Sequence, residues 1–160
     1  MGNGDGTLLS AVTIATGATP WNILSRDLDG DNIIDLVTLD RDDDVISLYR
    51  GNGDGTFLAR ESFASGGGYR GLSAGDVNGD GIDDILTGSY ASAFGVLLGN
   101  GGNFNREYDV GAGAGEFSYG DFNADGKLDV AVTAEDDGVV TVLLANSGGS
   151  FKAGTDYAAG

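Results

Sequence analysis

The sequence predicts an all-β fold made of three four-stranded antiparallel blades plus one extra strand. Three observations carry this reading. Two unrelated motifs recur with one common period of about 47 residues. The segments between them are short and β-branched, and none shows the 3.6-residue period of an amphipathic helix. Glycine is abundant, 30 of 160 residues, while proline occurs once, which suits many tight turns rather than extended linkers.

The first motif is GNGDGTL at 2–8, repeated as GNGDGTF at 51–57 and more loosely as GNGGNF at 99–104 and NSGGSF at 146–151. It closes each time on an apolar residue: Leu8, Phe57, Phe104 and Phe151. The second is acidic: DLDGDNIID at 27–35, DVNGDGIDD at 76–84 and DFNADGKLD at 121–129. Repetition at this period is the signature of stacked supersecondary units.

Four runs fill each repeat. Strand A precedes the acidic motif: WNILSR (21–26), RGLSAG (70–75) and GEFSYG (115–120). Strand B follows it: IDLVTL (34–39), DILTGSY (84–90) and DVAVTA (129–134). Strand C comes next: VISLY (45–49), FGVLL (94–98) and VVTVLL (139–144). An Asn/Gly pair between apolar runs is a strong hairpin signal, so strand D follows the glycine motif at 56–64, 103–110 and 150–157. The extra strand is an unaccompanied D-type run at 7–15. Residues 1–160 read as one repeat domain, with repeats near 7–50, 51–98 and 99–145 and a trailing strand in 146–160. Four strands at this period point to β-propeller blades. A parallel β-roll would need a nine-residue calcium repeat, and none is present.

The acidic motifs carry the chemistry. Oxygen-bearing side chains stand at positions 1, 3, 5 and 9: Asp27, Asp29, Asp31 and Asp35; Asp76, Asn78, Asp80 and Asp84; Asp121, Asn123, Asp125 and Asp129. Alternate side chains converge on one point only if the backbone curls, and Gly81, Gly126 or the tolerant Asn32 sits at position 6. Position 7 varies, Ile33, Ile82 and Lys127, as expected if only its carbonyl serves. Hard oxygen donors in a glycine turn suit calcium, with magnesium second because of its stricter octahedron. Three calcium sites are expected. The alternative is that Asp, Asn and Gly merely make turns here. A helix–loop–helix calcium site needs an acidic ligand at position 12, where Thr38, Thr87 and Val132 stand.

This constellation resembles the FG-GAP/VCBS repeat family, the blades of integrin-α-type calcium-binding β-propellers and of many secreted bacterial proteins. The resemblance covers almost the whole chain. It implies that the acidic loop joins the first two strands of a blade and holds a structural calcium. Asn32 and Ala124 depart from the family's glycines without removing a side-chain ligand.

Composition narrows the function. The net charge is −17, which disfavours nucleic acid and anionic membrane surfaces. No apolar run reaches the ~18 residues of a membrane span. Cysteine and histidine are both absent, which removes thiolate chemistry and the commonest general base. GNGDG is not followed by the Lys-Ser/Thr of a phosphate loop. The acidic runs at Asp40–Asp44 and Glu135–Asp137 read as solvated turns.

Propellers usually have 4–8 blades, so three blades form a partial propeller. It is completed by oligomerisation, as a homodimer closing a six-bladed ring, or by further blades of a longer chain. The expected function is a non-catalytic, extracellular or cell-surface calcium-binding module for adhesion or for protein or carbohydrate ligands. Trp21, Tyr69, Arg70 and Glu116 are the candidate ligand-facing residues; packing or lining the channel is the alternative for the aromatics. A second reading is a truncated or engineered half-propeller without a ligand, which the mid-repeat start would suit. A polysaccharide-active enzyme is a third, with Glu61, Glu107, Glu116 and Glu135 as its only glutamates.

Overall fold

A computed structural model describes residues 4–7, 10–64, 69–89, 93–99, 106–109 and 114–159. Among the described residues twelve strands form three antiparallel sheets. Blade 1 holds β1 (Pro20–Arg26), β2 (Asp35–Asp40), β3 (Val45–Tyr49) and β4 (Glu61–Ala64) in that order. Blade 2 holds β5 (Tyr69–Gly75), β6 (Asp84–Ser89), β7 (Ala93–Leu97) and β8 (Arg106–Asp109). Blade 3 holds β9 (Ala114–Gly120), β10 (Asp129–Ala134), β11 (Val139–Leu143) and β12 (Thr155–Ala158). These are propeller-type blades, each a meander of strands A to D.

The D strands of blades 1 and 3 begin later than the sequence suggests. After the glycine hairpins of blades 1 and 3 the chain makes one isolated bridge, Gly51 to Phe57 and Ala145 to Phe151, and rejoins the ladder only after three intervening residues. The run at 7–15 is not a strand over its described residues. It lies over blade 1, where the Tyr49 hydroxyl donates to the Ala15 carbonyl. Leu8, Tyr90 and Phe104 fall outside the described residues, as do the side chains of Tyr69, Arg70 and Glu107.

Alternation along the strands decides how blades stack, because successive side chains face opposite sides of a sheet. Val37, Leu39, Ile46 and Leu48 point from blade 1 onto Ile85 and Leu97 of blade 2. Leu86, Phe94 and Val96 point from the other face of blade 2 onto Val130, Val132 and Leu143 of blade 3. Phe94 is fully buried and edge-on to Phe117 at 6.0 Å and Phe151 at 5.6 Å. Such pairs add about 0.5–1.5 kcal/mol beyond their burial. Gly71 and Gly88 make room for Phe117, since a Cβ on Gly71 would lie 2.5 Å from its ring.

The acidic turn at 40–44 differs from the solvated turn expected of it. Asp40 is fully buried. Its carboxylate accepts bonds from the Gly17 N–H, the Thr38 hydroxyl and the Ser47 hydroxyl. Asp42 accepts from the Thr19 hydroxyl and Asp43 from the Ala18 N–H. The run is acidic because it anchors the segment that enters β1. The turn at 135–138 is exposed, as anticipated.

Candidate metal centre

The three acidic loops join strands A and B at the same end of their blades, beside the C–D hairpins. Their backbones curl in the same way. Position 4 takes positive φ at Gly30, Gly79 and Ala124, and position 6 at Asn32, Gly81 and Gly126. Ala124 holds φ +59°, a conformation that costs an L residue about 1–2 kcal/mol.

Loop-internal hydrogen bonds produce the curl. The position-1 carboxylate accepts the position-6 N–H each time: Asn32 to Asp27 at 2.8 Å, Gly81 to Asp76 at 2.8 Å, Gly126 to Asp121 at 2.9 Å. Position 3 accepts from position 5, at Asp29, Asn78 and Asn123. Position 5 accepts from position 7, at Asp31, Asp80 and Asp125. Each bond turns a side-chain oxygen toward the inside of the loop, and a carboxylate oxygen retains acceptor capacity after one such bond.

Position 9 does something the sequence did not announce. Asp35, Asp84 and Asp129 are buried to 1% exposure or less. One oxygen of each accepts the position-2 N–H, from Leu28, Val77 or Phe122. The other accepts an N–H of the C–D hairpin, from Gly51, Gly99 or Ala145. The last acidic residue therefore latches its loop to the neighbouring hairpin in all three blades.

The structure brings Asp27, Asp29 and Asp35 together: one oxygen from each lies within 4.8 Å of the others. Asp31 lies outside that group. Among the described residues no other set of three acidic side chains meets this closeness. Loops 2 and 3 supply an amide at position 3, and Asn78 and Asn123 turn their Nδ2 atoms to Asp80 at 3.0 Å and Asp125 at 3.3 Å. The donor set throughout is oxygen alone, which fits a hard cation such as calcium. Ile33, Ile82 and Lys127 occupy position 7; Ile82 packs beside Gly30 and Gly99, and Ile33 beside Gly51 and Gly53.

Charge is met differently in each loop. In loop 1 the Arg50 guanidinium donates to Asp29 at 2.6 Å and to Glu61 at 3.1 Å. Partial burial works against the charge on Arg50, but these two carboxylates outweigh it and raise its pKa. Arg50 escaped the sequence reading. Its signal was a basic residue where the other repeats place Leu98 and Leu144, each just before the hairpin residue that bonds position 9. In loop 3 Lys127 bonds Asp125 at 3.0 Å and holds its carboxyl below the usual range. In loop 1 slight burial opposes ionisation of Asp27, but N–H donors from Asn32 and Gly30 win and lower its pKa. Loop 2 is the reverse case. Burial pushes Asp84 up to about 6 against the pull of the Gly99 and Val77 N–H groups, and the charges of Asp80 and Asp76 add to the rise.

Of the candidate ligand-facing residues, Trp21 is 57% exposed and carries the Arg41 guanidinium 5.3 Å from its ring centroid. Glu116 is exposed on β9.

Residues 27–87 match the family model of the FG-GAP-like repeat. That span runs from the first acidic loop through the second. No curated protein matches the chain. A crystal structure described as BBS1N in complex with ARL6DN, soaked with lead, is similar at 12% identity and a TM-score of 0.38. The similarity covers 91% of this chain and 57% of that one, so the chain spans less than two thirds of its length.

Proposed function

We propose that this chain, an FG-GAP-type repeat protein over residues 27–87, is a calcium-binding β-propeller module that binds protein or carbohydrate surfaces without catalysis. The observation that supports it most is the convergence of Asp27, Asp29 and Asp35 inside a loop whose hydrogen-bond scaffold is repeated in two further blades. Calcium neutralises the loops and tightens the joint between strands A and B and the C–D hairpin. Gly30 of loop 1 packs on Ile82 of loop 2, so ordering one loop supports the next blade.

The setting follows from affinity. Extracellular calcium modules bind at about 10⁻⁴–10⁻³ M, so the sites fill outside the cell and stay mostly empty in the cytosol. At millimolar calcium each contributes roughly 0.4–1.4 kcal/mol, and three contribute roughly 1–4 kcal/mol. Glu61 is engaged by Arg50 at 3.1 Å, which takes that glutamate out of an acid–base pair.

Thermal melting and titration calorimetry test the proposal in chelator, in excess calcium and in excess magnesium. Calcium should raise the melting temperature by several degrees and magnesium should act more weakly. A melting curve indifferent to calcium would overturn the metal assignment. A glycan and matrix-protein array, read with and without calcium, tests the binding role.

A further inference from the structure

The three acidic loops are not equally connected to one another. Loops 1 and 2 touch directly, through the side chain at position 7 of loop 2. The Ile82 N–H donates to Asp80 at 2.9 Å, inside its own loop. The Ile82 side chain leaves that loop and lies on Gly30, position 4 of loop 1. A Cβ on Gly30 would stand 3.3 Å from Ile82 Cδ1 and 3.5 Å from its Cγ1. The Gly30 N–H in turn donates to Asp27 at 2.8 Å, and Asp27 belongs to the convergent group with Asp29 and Asp35. An unbroken run of contacts therefore leads from Asp80 through Ile82 and Gly30 to Asp27.

Two further contacts hold the same joint. Arg26, the residue before loop 1, pairs with Asp83, position 8 of loop 2, at 3.1 Å. Gly99, whose N–H donates to Asp84, is wedged between the two loops. A Cβ there would lie 2.7 Å from Ile82 Cγ2 and 3.3 Å from the Leu28 carbonyl oxygen of loop 1.

Position 7 of loop 3 is built otherwise. Lys127 donates to Asp125 through its N–H at 3.1 Å and through its Nζ at 3.0 Å, so its contacts close on its own loop. Gly79 is the counterpart of Gly30 in loop 2, and among the described residues a Cβ there would meet nothing within 4 Å. Leu128 packs on Gly75 where the first joint has Asp83 and Arg26. Blade 3 reaches loop 2 through the tip of its hairpin, where Gly149 lies against Asn78 and Leu98.

We propose that Ile82 couples the first two loops, so that calcium held in one raises the affinity of the other, while loop 3 fills independently. The inference rests on the metal reading above and adds a regulation to it. The physical reason is ordering. Each loop loses freedom when its donors close on a cation, and a neighbour already ordered leaves less freedom to be lost. The effect is reciprocal, because two coupled sites share one coupling free energy. In loop 3 the position-7 side chain turns back onto Asp125, and this route ends there.

The amides of Asn32, Gly81 and Gly126 report the loops separately, since each donates to the position-1 carboxylate of its own loop. Their resonances are followed through calcium titrations of the native chain, Asp80→Ala, Asp125→Ala, Ile82→Ala and Ile82→Val. In the native chain Asn32 and Gly81 should move together on a curve steeper than single-site binding, and Gly126 on a single-site curve. Asp80→Ala should weaken calcium binding at loop 1 by about five-fold or more, and Asp125→Ala should leave it unchanged. Ile82→Val removes one methyl, the Cδ1 nearest Gly30, and should separate the Asn32 and Gly81 curves in part; Ile82→Ala should separate them fully. A loop 1 midpoint unmoved by Asp80→Ala, or moved as far by Asp125→Ala, would overturn the coupling and leave the metal reading standing. Amides indifferent to calcium in all three loops would overturn both. Hydrogen exchange in chelator checks the contact without metal: Ile82→Ala should speed exchange at Gly30 and not at Gly126, and an unchanged Gly30 would also overturn the coupling.

Discussion

Loops 1 and 2 share a scaffold and differ in how charge is met at position 3. Loop 1 has Asp29 at position 3 and Arg50 beside its hairpin, joined at 2.6 Å. Loop 2 has Asn78 and Leu98 in those places, and Leu98 packs against the core between blades 2 and 3. The extra carboxylate and the extra cation come together, and the neutral amide comes with a leucine. Loop 3 repeats the second arrangement with Asn123 and Leu144, and adds Lys127 at Asp125. The nine-residue curl is thus indifferent to charge at position 3 provided a neighbouring strand meets it. In loop 2 Arg26 pairs with Asp83 at 3.1 Å, while among the described residues no basic side chain pairs with Asp76, Asp80 or Asp84.

The largest test addresses what the loops share. Asp129→Ala removes the acceptor of two backbone N–H groups at a buried site, from Phe122 and Ala145. Hydrogen bonds to a charged group contribute about 1.5–3 kcal/mol each, so the loss is about 3 kcal/mol or more. Asp35→Ala should match it within about 1 kcal/mol if the latch is common to the blades, whereas Asp84→Ala should cost less at neutral pH, because ionising that buried carboxyl already destabilises the metal-free fold. Urea unfolding in chelator measures all three. A much smaller loss at Asp35 than at Asp129 would break the equivalence of the loops.

The next test separates loop 2 by pH. The folded carboxyl of Asp84 titrates at about 6, against about 3.9 for an unfolded Asp. Between those values the folded chain binds more protons than the unfolded one, so stability falls as pH rises from about 4 to 6. The drop approaches about 3 kcal/mol in metal-free protein. Asp27 and Asp125 have lowered pKa values and act oppositely: their contribution is present above about pH 4 and is lost as pH falls. Urea midpoints from pH 4 to 7 with and without Asp84→Asn check this. The slope should vanish in the variant and shrink when calcium is added.

Arg50→Leu converts loop 1 to the residue of loops 2 and 3. Without calcium it should cost about 1 kcal/mol, because Asp29 and Glu61 lose their partner. With calcium the sign should reverse, since Asp29 is freed for the metal, and affinity at loop 1 should rise several-fold. Calorimetry on both proteins decides; an unchanged affinity would show that the guanidinium does not compete with the cation.

The smallest effect concerns the backbone. Ala124 holds the positive φ that Gly30 and Gly79 hold in the other loops. Ala124→Gly should stabilise by about 0.5–1 kcal/mol, the strain relieved less the greater freedom of unfolded glycine. Asn32→Gly should gain less, because Asn tolerates this region. Thermal melts of both variants rank the two positions.

Much of this was legible in the sequence because it is local. The glycines and asparagines of the loops specify the curl, and β-branched runs of five to seven residues between turns specify strands. The strand order followed from the repeat. Two features were not legible. Asp40 reads as one of four acids in a turn, yet it is the last residue of β2 and shares a face with Thr38, where Gly17 and Ser47 reach it. Its partners stand 23 and 7 residues away, so no window around residue 40 shows them. Position 9 was read as a ligand, while its latch to the hairpin lies 15 or 16 residues further along the chain.

The sequence by itself determined the repeat, the strands, the curl of three oxygen-lined loops and the chemistry of their donors. These depend on φ preferences, side-chain alternation and residue type, all of which act over a few residues. Only the tertiary structure decided which acids meet, that Arg50 closes on Asp29, and that Ile23 is exposed where Leu72 and Phe117 are half-buried against the inter-blade cores. Those outcomes depend on which sheet face stands opposite which, a relation that arises when the blades stack.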